Sequence, residues 1–299
     1  MIRRAFLKSA AAGTALAGAS AGAISAPSRT SFVPCINQAT TMKADFKTAM
    51  DAYSKAGFRV VELWLNSVHP FLAKESVAAA RRVMGDCGLT PRSACCDCEN
   101  LFFRGLPERE KKMEAFRAKL DLSARLGANR FVLCSGITEE VTLGDYEAAV
   151  PMLREIGELG RQFGIIIGVE FIRGARFLGS VETTANLLRK VGHPNLGVLV
   201  DTFHFYAGVS KLSDIAKLQP GEISWVHIND VPPKPRELLD DKDRVYVGEG
   251  VMPLGEILGA LGRVYEGPVS FEVFQYVDQD PYAVAERGYL GLSRVLARL

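Results

Sequence analysis

Histidine is scarce in this chain, with four in 299 residues. A hydrolase built on several zinc ions needs many imidazole ligands, and that supply is missing. An excess of one charge is missing too. The formal net charge is +2, from 36 basic and 34 acidic residues, which gives no electrostatic reason to expect a nucleic-acid partner. The first strand-like run leads into "CINQATTM" rather than a glycine-rich turn, so the phosphate fingerprint of a dinucleotide-binding sheet is absent. Six cysteines include the cluster "CCDC", Cys95 to Cys98, but no separated second pair follows it, and a structural zinc site is not indicated. These thiols read as small core residues, with a disulfide open and its pairing unassigned. No linker rich in Pro, Gly or Ser interrupts the chain beyond residue 30.

What is present is ordinary for a soluble globular protein: 48% hydrophobic and 23% charged residues exclude disorder and a multi-span membrane protein. Residues 1–26 stand apart. "MIRRAFLK" followed by an Ala/Gly-rich weakly apolar run resembles a twin-arginine export signal, with a cut between Ala21 and Ala26. That resemblance implies folding in the cytoplasm first, then an exported or periplasmic location without stable membrane association. Removing Arg3, Arg4 and Lys8 from 36 basic residues, against 34 acidic ones, turns the net charge from +2 to about −1.

From residue 30 to 299 short β-rich runs alternate with longer amphipathic stretches. The strand candidates are 32–37, 59–65, 90–96, 129–134, 165–171, 196–201, 223–229 and 268–274. Between them the pattern predicts helices over 44–56, 108–126, 145–163 and 181–191, with a last one over 281–298. Glycines at 57, 88, 127, 164 and 192 punctuate their ends. Eight such units in one α/β domain have the size and count of a single (β/α)₈ TIM barrel, the open doubly wound sheet being the rival. One connection, 230–252, is long and dense in proline and charge, as functional loops often are.

In such a barrel the C-terminal strand ends meet around one mouth. The late strands each carry a metal-competent side chain there: Glu170 in "GVEFI", Asp201 in "VLVDTFHF", His227 in "WVHIND" and Glu272 in "SFEVF". Three converging carboxylates repel one another unless a cation neutralises them. Three oxygens and one imidazole suit one divalent ion, whether Mn²⁺, Zn²⁺, Co²⁺ or Mg²⁺. His204, just past Asp201, is placed as a substrate contact. Glu62, an acid inside the apolar run "VVELWL", is a candidate for the same space. Arg244 and Glu249, with the backbone of Gly248 and Gly250, are candidates for closing the mouth. His193 falls at the opposite end of the barrel, and His69 reads either as near the mouth or as part of a helix-entry turn.

These residues resemble the xylose-isomerase-like TIM barrels, a group of sugar isomerases and epimerases, and within it the inosose isomerases. The similarity runs from "INQATTM" through "GVEFI", "DTFHF" and "HIND" to "DDKDRVYVGEG" and "VSFEVF", and so spans nearly the whole barrel. The resemblance implies that Glu170, Asp201, His227 and Glu272 hold one divalent ion while His204 contacts a substrate oxygen. It further implies an isomerase acting on a small keto-polyol or ketose, with Glu170 and Glu272 moving a proton through an enediolate. A ketose 3-epimerase, a keto-sugar dehydratase or lyase, and a periplasmic sugar-binding protein are the alternatives. Homo-oligomerisation is left open. The export leader and the loop insertion "VPPKPREL" depart from the pattern and bear on the substrate.

Overall fold

Each of the eight apolar runs forms a parallel strand. They are β1 (Phe32–Asn37), β2 (Val60–Trp64), β3 (Thr90–Cys95), β4 (Arg130–Cys134), β5 (Ile166–Glu170), β6 (Leu196–Asp201), β7 (Ile223–Ile228) and β8 (Gly267–Phe271). Every strand pairs with the next, and β8 closes back on β1 through five register pairs from Phe32↔Gly267 to Ile36↔Phe271. The computed structural model describes residues 31–299, so the export-signal reading of 1–26 lies outside the described residues. Among the described residues no helix is long and apolar enough to cross a membrane.

The helices are α1 (Phe46–Ala56), α2 (Leu65–Leu72), α3 (Val77–Asp86), α4 (Arg109–Leu126), α5 (Leu143–Gln162), α6 (Val181–Val191), α7 (Thr202–Ala207), α8 (Leu212–Ile215), α9 (Leu254–Leu261) and α10 (Pro281–Leu296). Local chemistry sets their limits. Asp45 and Ser180 accept from the backbone amides of Thr48 and Thr183, satisfying donors that a helix start leaves open. Gly57 and Gly127 end α1 and α4 at φ 112° and 105°, a region where a side chain would be strained. The predicted second strand is one residue too long at each end: Arg59 precedes β2, and Leu65 already opens α2. His69 lies inside that helix and is exposed.

The barrel sorts its side chains by the two-residue period of a strand. The main core fills the space between sheet and helices. A second, separate cluster of Cys35, Val60, Cys95, Val132, Leu199 and Trp225 occupies the interior of the barrel. Residues at i and i−2 on one strand therefore stack in that interior, the later one nearer the C-terminal mouth.

Two features shape the mouth. A disulfide joins Cys98, in the β3–α4 connection, to Cys134, the last residue of β4, while Cys35, Cys87, Cys95 and Cys96 stay free. The long connection after β7 is gathered at its base by Asp230. Its Oδ1 accepts from the amides of Val231 and Met252, and its Oδ2 from those of Gly248 and Gly250, all within 2.9–3.2 Å.

Candidate metal centre

Strand ends bring four distant residues together. Glu170 and Asp201 are the last residues of β5 and β6, His227 is next to last in β7, and Glu272 directly follows β8. One ligand atom from each lies within 4.8 Å of all the others, and all four residues are buried. The surrounding bonds decide which atoms face inward. Asp201 Oδ1 caps α7, accepting from the amides of Phe203 (2.6 Å) and His204 (3.3 Å), which leaves Oδ2 for the centre. Asn37 Nδ2 donates to Glu272 Oε1 at 2.7 Å, leaving Oε2. His227 Nδ1 then stands 3.3 Å from both Glu170 Oε1 and Glu272 Oε2 and 3.7 Å from Asp201 Oδ2. Asn37, at the end of β1, is a positioning group that the ligand pattern alone does not reveal.

Glu62 is not in the substrate space. It sits below the four, fully buried, and Oε2 accepts from Trp225 Nε1 (2.8 Å), Ser270 Oγ (2.7 Å) and His227 Nε2 (3.0 Å) while Oε1 accepts from Ser93 Oγ (3.1 Å). Strand geometry places it there: Glu62 precedes the β2 end by two residues, so it faces the interior one tier down. Trp225 and Ser270 precede His227 and Glu272 by the same two residues. That period was the signal available in the sequence for this lower tier.

His204 and Arg244 lie at the mouth. Arg244 is buried to 2% exposure between the rings of Phe203 and Phe274, with centroids 4.8 and 4.9 Å from its guanidinium carbon. Its Nη1 donates to Asp201 Oδ2 at 2.5 Å and Glu272 Oε2 at 2.8 Å, and its Nη2 donates to Asp241 at 3.0 Å and lies 3.2 Å from His204 Nε2. His204 Nδ1 accepts from the Arg173 amide at 3.3 Å. Glu249 is elsewhere: it forms a two-pronged pair with Arg287 of α10 on the outer surface, and it does not close the mouth. Gly248 and Gly250 likewise spend their amides on Asp230. His193 precedes β6 at the far end, where its Nδ1 accepts from the Asn195 amide.

Electrostatics show what the cluster needs. Burial, reinforced by Glu170 and Asp201, pushes the Glu272 carboxyl up to about 8 against the pull of His227 and Arg244. Burial alone would lower His227, but Glu272 and Glu62 outweigh it and hold the imidazolium well above its ordinary value. Burial would also raise Asp201, yet Arg244, His204 and His227 keep it well below the usual carboxylate range. His204 is lowered by burial and by Arg244. The cluster therefore draws protons onto His227 and Glu272 to offset its negative charge, and its oxygen-rich donor set with one imidazole fits a divalent cation.

The fold and site define a (β/α)₈ barrel with a candidate metal centre at the C-terminal mouth. The chain belongs to the xylose isomerase-like TIM barrel family, whose profile matches residues 50–291. It is 26% identical over 255 residues to the inosose isomerase of Halalkalibacterium halodurans, covering 81% of this chain and 87% of that protein. Against the 3-dehydroshikimate dehydratase of Pseudomonas putida it is 29% identical over 230 residues, covering 75% of this chain but only 35% of that longer protein. The crystal structure of the IolI protein with a bound zinc atom superposes at a TM-score of 0.82 with 21% identity, covering 89% of this chain and 99% of that one.

Proposed function

We propose that the chain is a metal-dependent isomerase of a keto-polyol or ketose, moving a carbonyl to the neighbouring carbon by proton transfer through an enediolate. The observation that carries this reading is the convergence of Glu170, Asp201, His227 and Glu272 within 4.8 Å. A bound divalent ion supplies Lewis acidity to the carbonyl and adjacent hydroxyl oxygens of the substrate. The protein supplies the rest. Glu170 and Glu272 accept the proton α to the carbonyl and return it to the former carbonyl carbon, while the proton of the adjacent hydroxyl passes to the former carbonyl oxygen; positioned groups of this kind contribute ~10²–10⁴-fold. His204, held at Nδ1 by the Arg173 amide with Nε2 3.2 Å from Arg244 Nη2, stands beside the ligands and would turn Nε2 to the oxygen that gains charge. Arg244 adds a fixed positive charge beside that oxygen, and the Phe203 and Phe274 rings exclude water from it.

A second reading is a keto-sugar dehydratase, supported by the 29% identity to a 3-dehydroshikimate dehydratase. Both begin with the same proton abstraction and differ in whether a hydroxyl group then leaves. Incubating metal-loaded protein with inososes, ketoses and 3-dehydroshikimate in deuterated water separates them by NMR. An isomerase incorporates solvent deuterium into a product of unchanged formula, a 3-epimerase inverts one carbon, and a dehydratase loses water. Binding without any exchange overturns the enzymatic reading in favour of a sugar-binding protein.

The twin-arginine-like leader supports an exported, periplasmic protein, and the Cys98–Cys134 bridge is of the kind that persists in an oxidising compartment.

A further inference from the structure

We infer that Glu62 is a positioning residue of the metal centre, fixing which nitrogen of His227 faces the ion. This rests on the proposed metal-dependent function and goes beyond the four ligands. Glu62 has no exposed surface, and both of its oxygens are taken by protein donors one tier below the ligands, which leaves none for a substrate. A buried acid needing only to be satisfied already has Ser93, Ser270 and Trp225 as donors. The fourth bond, from His227 Nε2 at 3.0 Å, does something the others do not. An ionised carboxylate only accepts, so the imidazole must carry its hydrogen on Nε2 there. Nδ1 is then the nitrogen that faces Glu170, Asp201 and Glu272, and once its own proton is released its lone pair is directed to the place of the ion.

The lower tier is built for this task. Trp225 on β7 and Ser270 on β8 stand two residues before His227 and Glu272, so the residues that hold Glu62 are joined to the ligands above by one short stretch of chain each. Three donors converge on Oε2 alone, which prevents that oxygen from turning away from the imidazole.

Glu62→Gln keeps the shape: its amide oxygen accepts at the Oε2 position while the amide nitrogen donates to Ser93 Oγ, so only the charge is lost. Glu62→Ala removes the acceptor. The probe is Co²⁺ added to metal-free protein, with affinity measured by chelator competition and the ligand set read from the visible absorption. Outer-shell partners of this kind are worth about 10–100-fold in metal affinity, so Glu62→Gln should bind about 10-fold and Glu62→Ala about 100-fold more weakly. The Glu62→Ala visible spectrum should also change, and Glu62→Gln should keep the wild-type bands. A role confined to stability would lower the melting temperature and leave both readouts of the folded protein unmoved. Wild-type Co²⁺ affinity in folded Glu62→Ala, or in Glu62→Gln where Glu62→Ala does not fold, overturns the assignment. Wild-type protein that fails to bind Co²⁺ overturns the metal centre itself, and this role with it.

Discussion

Breaking the Cys98–Cys134 bridge should lower stability by a calculable amount. The bridge closes a loop of 36 residues. The chain-entropy relation for a loop of that length gives about 3.8 kcal/mol at 25 °C, and native bridges deliver roughly 2–4. In a domain of this size about 3 kcal/mol corresponds to a fall of about 6–12 °C in melting temperature. The measurement is urea unfolding of oxidised protein, of protein held in dithiothreitol, and of the Cys98→Ser, Cys134→Ser double variant. The last two should share a midpoint below the first. The double variant should ignore reductant, and Cys87→Ser should respond to it like wild type. Alkylation of the unfolded, unreduced protein should modify four thiols, those of Cys35, Cys87, Cys95 and Cys96. Equal urea midpoints with and without reductant, or six alkylated thiols, would refute the reasoning. The location adds a consequence for the site: Cys134 pairs in register with Glu170, so the bridge braces the strand beside a candidate ligand.

Glu272→Gln removes a candidate ligand and proton carrier while keeping the Asn37 bond, so the variant should fold and lose turnover at least 100-fold; wild-type rates would remove Glu272 from the mechanism. Arg244→Gln should bind a divalent ion about 10-fold or more tightly while losing activity, because Nη1 lies on the two oxygens that face the centre. Titration calorimetry decides it, and weaker binding would refute competition between the guanidinium and the ion. Ion binding should release close to two protons, from Glu272 and His227, measured as the dependence of binding heat on buffer ionisation enthalpy. Affinity should accordingly fall by up to about 100-fold per unit as pH drops below about 8, the value to which Glu272 is raised, and a flat profile from pH 6 to 8 would contradict this.

The barrel was legible in the sequence because parallel strands buried on both sides read as continuous apolar runs, and eight of them recur with helices between. The four converging residues were legible for a related reason: an acid or histidine at the end of such a run stands out. Glu62 stood out equally but was harder to place, since one strand position separates the interior from the outer core and two separate one tier from the next. Asn37 and Asp230 gave less signal, because an amide or acid at a strand end is common and their roles depend on partners 235 and up to 22 residues away. Glu249 misled because "VGEG" follows Arg244 closely, and only the folded loop shows its side chain turned out to Arg287.

Glu62, Glu170, Asp201 and Glu272 contribute four carboxylates to a region where each is buried, and Arg244 returns one positive charge. With a neutral imidazole the sum is −3, which a low-dielectric interior resists. The ion-free protein meets this by holding protons on Glu272 and His227, the two groups raised by their surroundings, and arrives at −1. A divalent ion that displaces those two protons also leaves −1. The site can therefore exchange ion for protons without changing its net charge, so Arg244 can stay buried in both states. The ion-free barrel needs no rearrangement of its strands to receive the ion. On this account the fold is complete before the ion arrives, and melting of chelated protein should remain a single cooperative transition.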